Sequence, residues 1–213
     1  GSATLVDAVS ECMRYYVSNC DTTHLAVGSA IGANVFLKIC AYSTAQISKE
    51  LKTQVIEEFG EIPKMKLVNV IGGGSSAIGF WSEFIDYPKK HVELIGVEAK
   101  YCAPLTTNAK LAILHGAAQY CLTDKNGQIK ETHSISAGLD YPGVSPLHCF
   151  LKDTGRARYC SASDEQALAA FKLVTKLEPS VKPSLEPAHC LHEVIRLAPK
   201  LNHDEIIIYN NCG

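Results

Sequence analysis

KLVNVIGGGSSAIG, residues 66 to 79, joins an apolar run to three glycines, two serines and the start of an apolar periodic segment. Leu67, Val68, Val70 and Ile71 read as a buried parallel strand, and Ala77, Ile78, Phe80, Trp81 and Phe84 as the inward face of a helix. Between them, Gly72, Gly73 and Gly74 allow the backbone to approach a ligand and to turn its N–H groups inward. Ser75 and Ser76 add hydroxyl donors at the rim, which suits a phosphate monoester with three exposed oxygens. Two other readings share the spacing. Gly72, Gly74 and Ala77 satisfy G-x-G-x-x-A, and a second strand, Val92 to Val97, ends at Glu98, where a dinucleotide site would hold ribose hydroxyls. A plain tight turn is the third.

The 213 residues fit one large domain, or a domain with a piece of another, and 46% hydrophobic content suffices for a core. The net charge of -2, with both signs mixed along the chain, gives no basic face for nucleic acid and no cationic block for a membrane surface. No apolar run approaches the length of about 20 residues that spans a bilayer. The expected partner is a small molecule or another protein. Nine scattered cysteines, none in a C-x-x-C pair, point to a reducing, cytoplasmic setting with mostly buried thiols. His189, Cys190 and His192 form the one local metal-like cluster, and packing is the favoured explanation for it.

Outward from the glycines, the pattern is that of a doubly wound α/β layer with a mostly parallel sheet. Thr4 caps a helix with Leu5, Ala8, Val9, Cys12, Met13 and Tyr16 on its apolar face. His24 to Gly32 reads as a short apolar strand and a small-residue turn, and a helix follows from about Thr44 to Phe59, stopped by Gly60 and Pro63. Further strands are expected near Ala112 to Leu114, Tyr120 to Leu122, Ala157 to Cys160 and Glu205 to Tyr209, with helices over Asp164 to Leu177 and Pro187 to Leu197. Ala99 to Lys110 and Gly138 to Pro146 read as loops. Gly1-Ser2-Ala3 is compatible with a cloning remnant. Asp140, beside an aromatic in the second loop, is a candidate substrate contact because such loops line the crevice at strand ends. Glu186, after two prolines, is a candidate site residue or a first-turn charge complementing the helix dipole.

Seven segments together resemble the tryptophan synthase β chain family: GSATLVDA (1 to 8), GGGSSAIG (72 to 79), LIGVEA (94 to 99), LHG (114 to 116), NGQIKETHSISAGLDYPGVSPLH (126 to 148), GRARY (155 to 159) and LEPAH (185 to 189). The match is in order and covers nearly the whole chain, and THSISAGLDYPGV is far more specific than a glycine turn. The resemblance implies a fold-type II pyridoxal-phosphate enzyme, a carbon–oxygen lyase that eliminates water from L-serine and adds indole to give L-tryptophan. It implies phosphate contacts from Gly72, Gly73, Gly74, Ser75 and Ser76, where the family usually has asparagine at the position of Ser76. It places Ser29 beside the cofactor, Glu186 near the pyridine ring, and Asp140 as the residue that closes over the substrate.

Cys212 matches the serine whose hydroxyl meets the pyridine nitrogen, and an ordinary thiol, with pKa near 8.5, is still a neutral donor at pH 7. His115 and Tyr141 match positions along the indole tunnel, and backbone carbonyls of Gly72, Tyr141 and Gly143 match a monovalent-cation site. The family also implies a β–β homodimer and an α subunit or fused α domain. On this reading residues 1 to 32 are a remnant of the mobile communication domain and residues 33 to 213 the phosphate-binding α/β domain. The family's cofactor-bearing lysine stands in an HKxN context that no lysine here occupies, so the chain reads as a C-terminal part, inactive alone. The alternatives are a threonine dehydratase or cysteine synthase of the same fold, and a degenerate module that binds cofactor without chemistry.

Overall fold

In the computed structural model, which describes residues 4–212, four parallel strands form the central sheet in the order β5-β2-β1-β6. These are β1 (Lys64–Ile71), β2 (Val92–Ala99), β5 (Ala157–Ala162) and β6 (Glu205–Tyr209). β1 is the hub, pairing with β2 over Met65 to Ile71 and with β6 over Lys64 to Val68. The chain runs outward from β1 to β2 and β5, then returns to the other side of β1. The order therefore reverses between β1 and β6, and in open α/β sheets the ligand crevice opens at the strand ends beside that reversal.

Period-2 alternation divides the strand residues between two cores. Met65, Leu67, Ile71, Val92 and Leu94 pack with Trp81, Phe84 and Val55 on one face; Val68, Val70, Ile95 and Val97 pack with Cys190 and Leu197 on the other. Helix α2 (Asn34–Phe59) and the short α3 (Ser75–Trp81) cover the first face, and α5 (Asp164–Leu177) and α6 (Leu185–Leu197) form the second layer. Helices on both faces make the sheet doubly wound, as the sequence pattern implies. The expected Thr4 cap is present, accepting from the Asp7 N–H at the start of α1 (Leu5–Ser18), and Ser163 with Gln166 forms a reciprocal capping box on α5. The cloning-remnant reading of Gly1 to Ala3 and the role of Gly213 lie outside the described residues.

Three expectations are corrected, and one helix is added to them. His24 to Gly32 is not a strand but irregular chain, and it pairs with no strand of the sheet. α2 starts at Asn34, ten residues before the expected Thr44, because Ala33 gives its N-terminus no side-chain cap and so no local signal. The strands at 112 to 114 and 120 to 122 do not join the main layer; they are β3 (Lys110–Leu114) and β4 (Ala117–Cys121), an antiparallel hairpin. A two-residue link, His115 (φ 50°) and Gly116 (φ 83°), permits only that arrangement, because parallel neighbours need a crossover of a dozen residues or more. Finally, a helix follows the loop that ends at Pro146: α4 (Pro146–Asp153), with Ser145 capping the Leu147 N–H and Pro146 in its first turn.

Candidate cofactor site

The three glycines sit between β1 and α3, and their close neighbours exclude any side chain. A Cβ on Gly72 would overlap the carbonyl oxygen of Gly138. One on Gly73 would lie 2.8 Å from Ser29 Oγ, and one on Gly74, whose φ is +96°, would overlap the His148 ring. The loop is pinned from outside as well. Gly73 O accepts from the Ser145 N–H at 3.1 Å, and Gly74 O accepts from His148 Nε2 at 2.9 Å.

His148 is fully buried on α4, edge-on to Trp81, with Nδ1 accepting from the Tyr159 hydroxyl at 2.9 Å. With Nε2–H donating to a carbonyl and Nδ1 accepting, the ring is the neutral tautomer, and burial lowers its pKa to about 4. Burial likewise pushes the Tyr159 hydroxyl upward, so it stays a donor.

The loop walls a cavity of about 140 Å³ lined also by Ser75, Ser76, Gly138, Glu186 and Cys212. Ser76 Oγ accepts from Asn69 Nδ2 at 3.2 Å and Asn210 Nδ2 at 3.0 Å. Cys212, following β6, reaches Asn69 Oδ1 at 3.8 Å through its thiol. Glu186 accepts from the Gly138 N–H at 3.2 Å and the Ser184 hydroxyl at 2.8 Å. Burial alone would raise its carboxyl pKa, but these donors outweigh it and leave the net shift downward. Glu186 is thus a tie between α6 and the loop at 138 as well as a first-turn charge.

Asp140, His115 and Tyr141 are brought together on the far side of the 136-to-141 segment. Asp140 accepts from the Thr132 hydroxyl at 2.7 Å and from the Cys102 thiol at 3.5 Å, and it lines a second cavity of about 290 Å³ with Thr132, Ser10 and Leu114. His115 Nδ1 meets the Tyr141 hydroxyl at 2.6 Å and its Nε2 meets Ser10 Oγ of α1 at 3.0 Å. Gly138 and Leu139 face the first cavity and Asp140 the second, so one short segment is the shared wall. Gly143, one of the three carbonyl residues named for a cation, pairs with Cys121 in an antiparallel bridge beside this wall.

Glu98 is turned away from a ligand. It is fully buried, and both its oxygens accept from its own loop, Oε1 from the Leu105 N–H and Oε2 from the Thr106 N–H and hydroxyl. Burial pushes its pKa up to about 8 despite those three donors. This removes the acidic residue that the dinucleotide reading needs at that strand end.

His148, Tyr159, Asn69 and Asn210 were not among the site residues read from the sequence. Asn69 did carry a signal, as the single polar residue in the apolar run Leu67 to Ile71. The other three have no local mark and are recruited by the fold.

A glycine cradle that no Cβ could enter, with hydroxyl and N–H donors at its rim, fits the phosphate of pyridoxal phosphate. Gly72 to Ser76 would hold the phosphate, with Glu186, Gly138 and Cys212 along the ring. No family model matches the chain. It is 44% identical over 221 aligned residues to the tryptophan synthase β chain of Allorhizobium ampelinum; the alignment takes in all of this chain and 53% of the relative. The chain thus spans about half the length of the curated relative it matches. Among solved structures, the fold is shared with a T.th. threonine deaminase (TM-score 0.56, 15% identity, 79% of this chain and 56% of that one). It is shared equally with a fungal L-serine ammonia-lyase from Rhizomucor miehei (TM-score 0.58, 18% identity, 79% and 50%). Along its whole length the chain is a homologue of part of the tryptophan synthase β chain, built on the α/β fold of the fold-type II pyridoxal-phosphate enzymes.

Proposed function

We propose that this chain supplies the phosphate- and ring-holding part of a tryptophan synthase β-type enzyme, which joins L-serine and indole to give L-tryptophan. The observation that carries the reading is the cradle itself: three glycines each in contact with a fixed neighbour, and two serine hydroxyls at the same rim. The seven-residue helix behind it is too short to add much of a dipole, so the loop N–H groups and hydroxyls are the binding groups. When bound, pyridoxal phosphate supplies an electron sink for the pair released at the substrate carbon.

The chain's residues do the rest. Ser75 and Ser76 donate to the phosphate, Cys212 sits at the far wall with its thiol turned to Asn69 Oδ1, and Glu186 braces the loop at Gly138 against the ring. Asp140, on the other side of that wall, closes over the amino-acid substrate, and His115 with Tyr141 lines the approach of indole. Among the described residues no lysine lines the cavity, so no residue of this wall is assigned as the amine that carries the cofactor. Carbonyls of Gly72, Tyr141 and Gly143 are the proposed monovalent-cation ligands. A β–β dimer, an α partner, a cytoplasmic setting and the division at residue 32 belong to the same proposal.

The test is a titration of the chain with pyridoxal 5′-phosphate, pyridoxal and a nicotinamide dinucleotide. Phosphate-dependent binding of the first alone is expected; preference for the dinucleotide overturns the assignment. The reaction is tested by tryptophan formation from L-serine with indole after the chain is joined to the lysine-bearing part of a tryptophan synthase β relative. Release of a 2-oxo acid from L-threonine, with no indole-dependent product, would favour the deaminase reading.

A further inference from the structure

The apolar run of β1 is interrupted at Asn69, which is fully buried. Its position answers a backbone problem. β6 stays paired with β1 only as far as Val68 with Tyr209, and the Asn210 N–H still reaches Val68 O at 3.3 Å. Residues two apart on a strand point their N–H groups to the same neighbour, so the Val70 N–H faces β6 just where β6 has ended. A buried N–H left there would be costly. Asn69 Oδ1 accepts it at 2.8 Å.

That bond decides which way the amide faces. With Oδ1 held by a backbone donor, Nδ2 is the atom directed at Ser76 Oγ, 3.2 Å away. Asn210 Nδ2 supplies a second N–H to the same oxygen at 3.0 Å. A serine hydroxyl has two lone pairs and one proton. Both lone pairs are engaged by amide donors, so the proton has to be given away, and among the described residues no protein acceptor takes it. Ser76 lies on the wall of the glycine cavity.

We infer that Asn69 is a positioning residue which, with Asn210, locks Ser76 as a dedicated hydrogen-bond donor to the cofactor phosphate and so favours the fully ionised phosphate over its protonated form. The inference rests on the pyridoxal-phosphate reading above. A freely rotating serine could accept a hydrogen bond from a P–O–H group; a serine whose lone pairs are both occupied cannot, and the loop N–H groups beside it are donors too.

The experiment measures pyridoxal 5′-phosphate binding to the full chain by fluorescence, and the ionisation of the bound phosphate by phosphorus NMR, between pH 5 and 8. In the unsubstituted chain, affinity should rise as the phosphate loses its second proton near pH 6. Asn69→Leu and Ser76→Ala should each weaken binding about tenfold and flatten that rise, and the double variant should be no weaker than either single one. Unchanged affinity in Asn69→Leu, or losses that add in the double variant, overturn the inference. Should Asn69→Leu fail to fold, Asn210→Ala alone and with Ser76→Ala reports the same coupling from a partly exposed position, and there too unchanged affinity or additive losses overturn it. An unsubstituted chain that binds pyridoxal as well as its phosphate overturns both this inference and the reading beneath it; altered coupling alone overturns only the role of Asn69.

Discussion

His148 Nε2 donates to the carbonyl oxygen of Gly74 at 2.9 Å, and the same ring occupies the space that a Cβ at Gly74 would need. One contact therefore both holds the loop and enforces its glycine. Gly74→Ala must adopt φ near +96° and displace a buried ring, so we expect a loss of about 3 kcal/mol in urea denaturation and of all phosphate-dependent binding. Gly155→Ala is the control, since its φ is also positive (66°) but a Cβ there meets nothing; it should cost about 1 kcal/mol and leave binding intact.

The neutral state of His148 gives stability a defined acid limb. The unfolded imidazole titrates near 6.5 and the folded one near 4, so between those values the unfolded chain holds the extra proton. Stability is full above pH 6.5, falls by about 3 kcal/mol as pH drops to 4, and loses no more from this group below that. A urea-midpoint series from pH 7 to 4 should show the fall, and His148→Gln should flatten it.

Glu98 works in the opposite sense. Its folded pKa, about 8, lies above the unfolded value near 4.3, so its contribution is full below that unfolded value and is lost as pH rises through 8. Replacing it with glutamine should remove the alkaline part of the stability profile, measured by thermal unfolding from pH 6 to 9.

An alternating ion-pair chain crosses the early ends of the strands. Lys66 meets Glu93 at 3.0 Å, Glu93 meets Arg158 at 3.0 Å, Arg158 meets Glu193 of α6 at 3.0 Å, and Glu193 meets Arg196 at 2.6 Å. Glu193 is nearly enclosed, and Arg158 is one-third exposed. Glu193→Ala, which leaves Arg158 half paired, should cost about 2 kcal/mol even in high salt. Glu11→Ala removes the exposed pair to Arg14 and should cost less than about 0.5 kcal/mol, vanishing in salt.

Asp140 and the glycine cradle line different cavities, so their functions separate. Asp140→Asn should change pyridoxal 5′-phosphate affinity of the chain by less than about twofold while abolishing indole-dependent tryptophan formation once the chain is joined to the lysine-bearing part of a tryptophan synthase β relative. A parallel loss of cofactor affinity would show that the wall at Gly138 and Leu139 depends on the Asp140 bond to Thr132.

Much of this protein follows from local chemistry. The strand–glycine–helix unit at 66 to 79, the caps at Thr4 and Ser163 and the start of β6 at Glu205 depend on residues within a few positions of one another, so the sequence by itself determined them. The cradle residues were legible for the same reason: three consecutive glycines have few uses other than a close backbone approach. What the tertiary structure alone decided is which distant groups complete them. His148 reaches Gly74 across 74 residues and Asn210 reaches Ser76 across 134, and neither carries a periodic or capping signature. Asp140 and Gly138 are two residues apart, yet they belong to different cavities, because a single turn at 137 to 139 presents opposite sides of the chain. Burial makes these assignments binding: a polar group inside the fold has to find its partner there, and only the completed packing settles which partner is within reach.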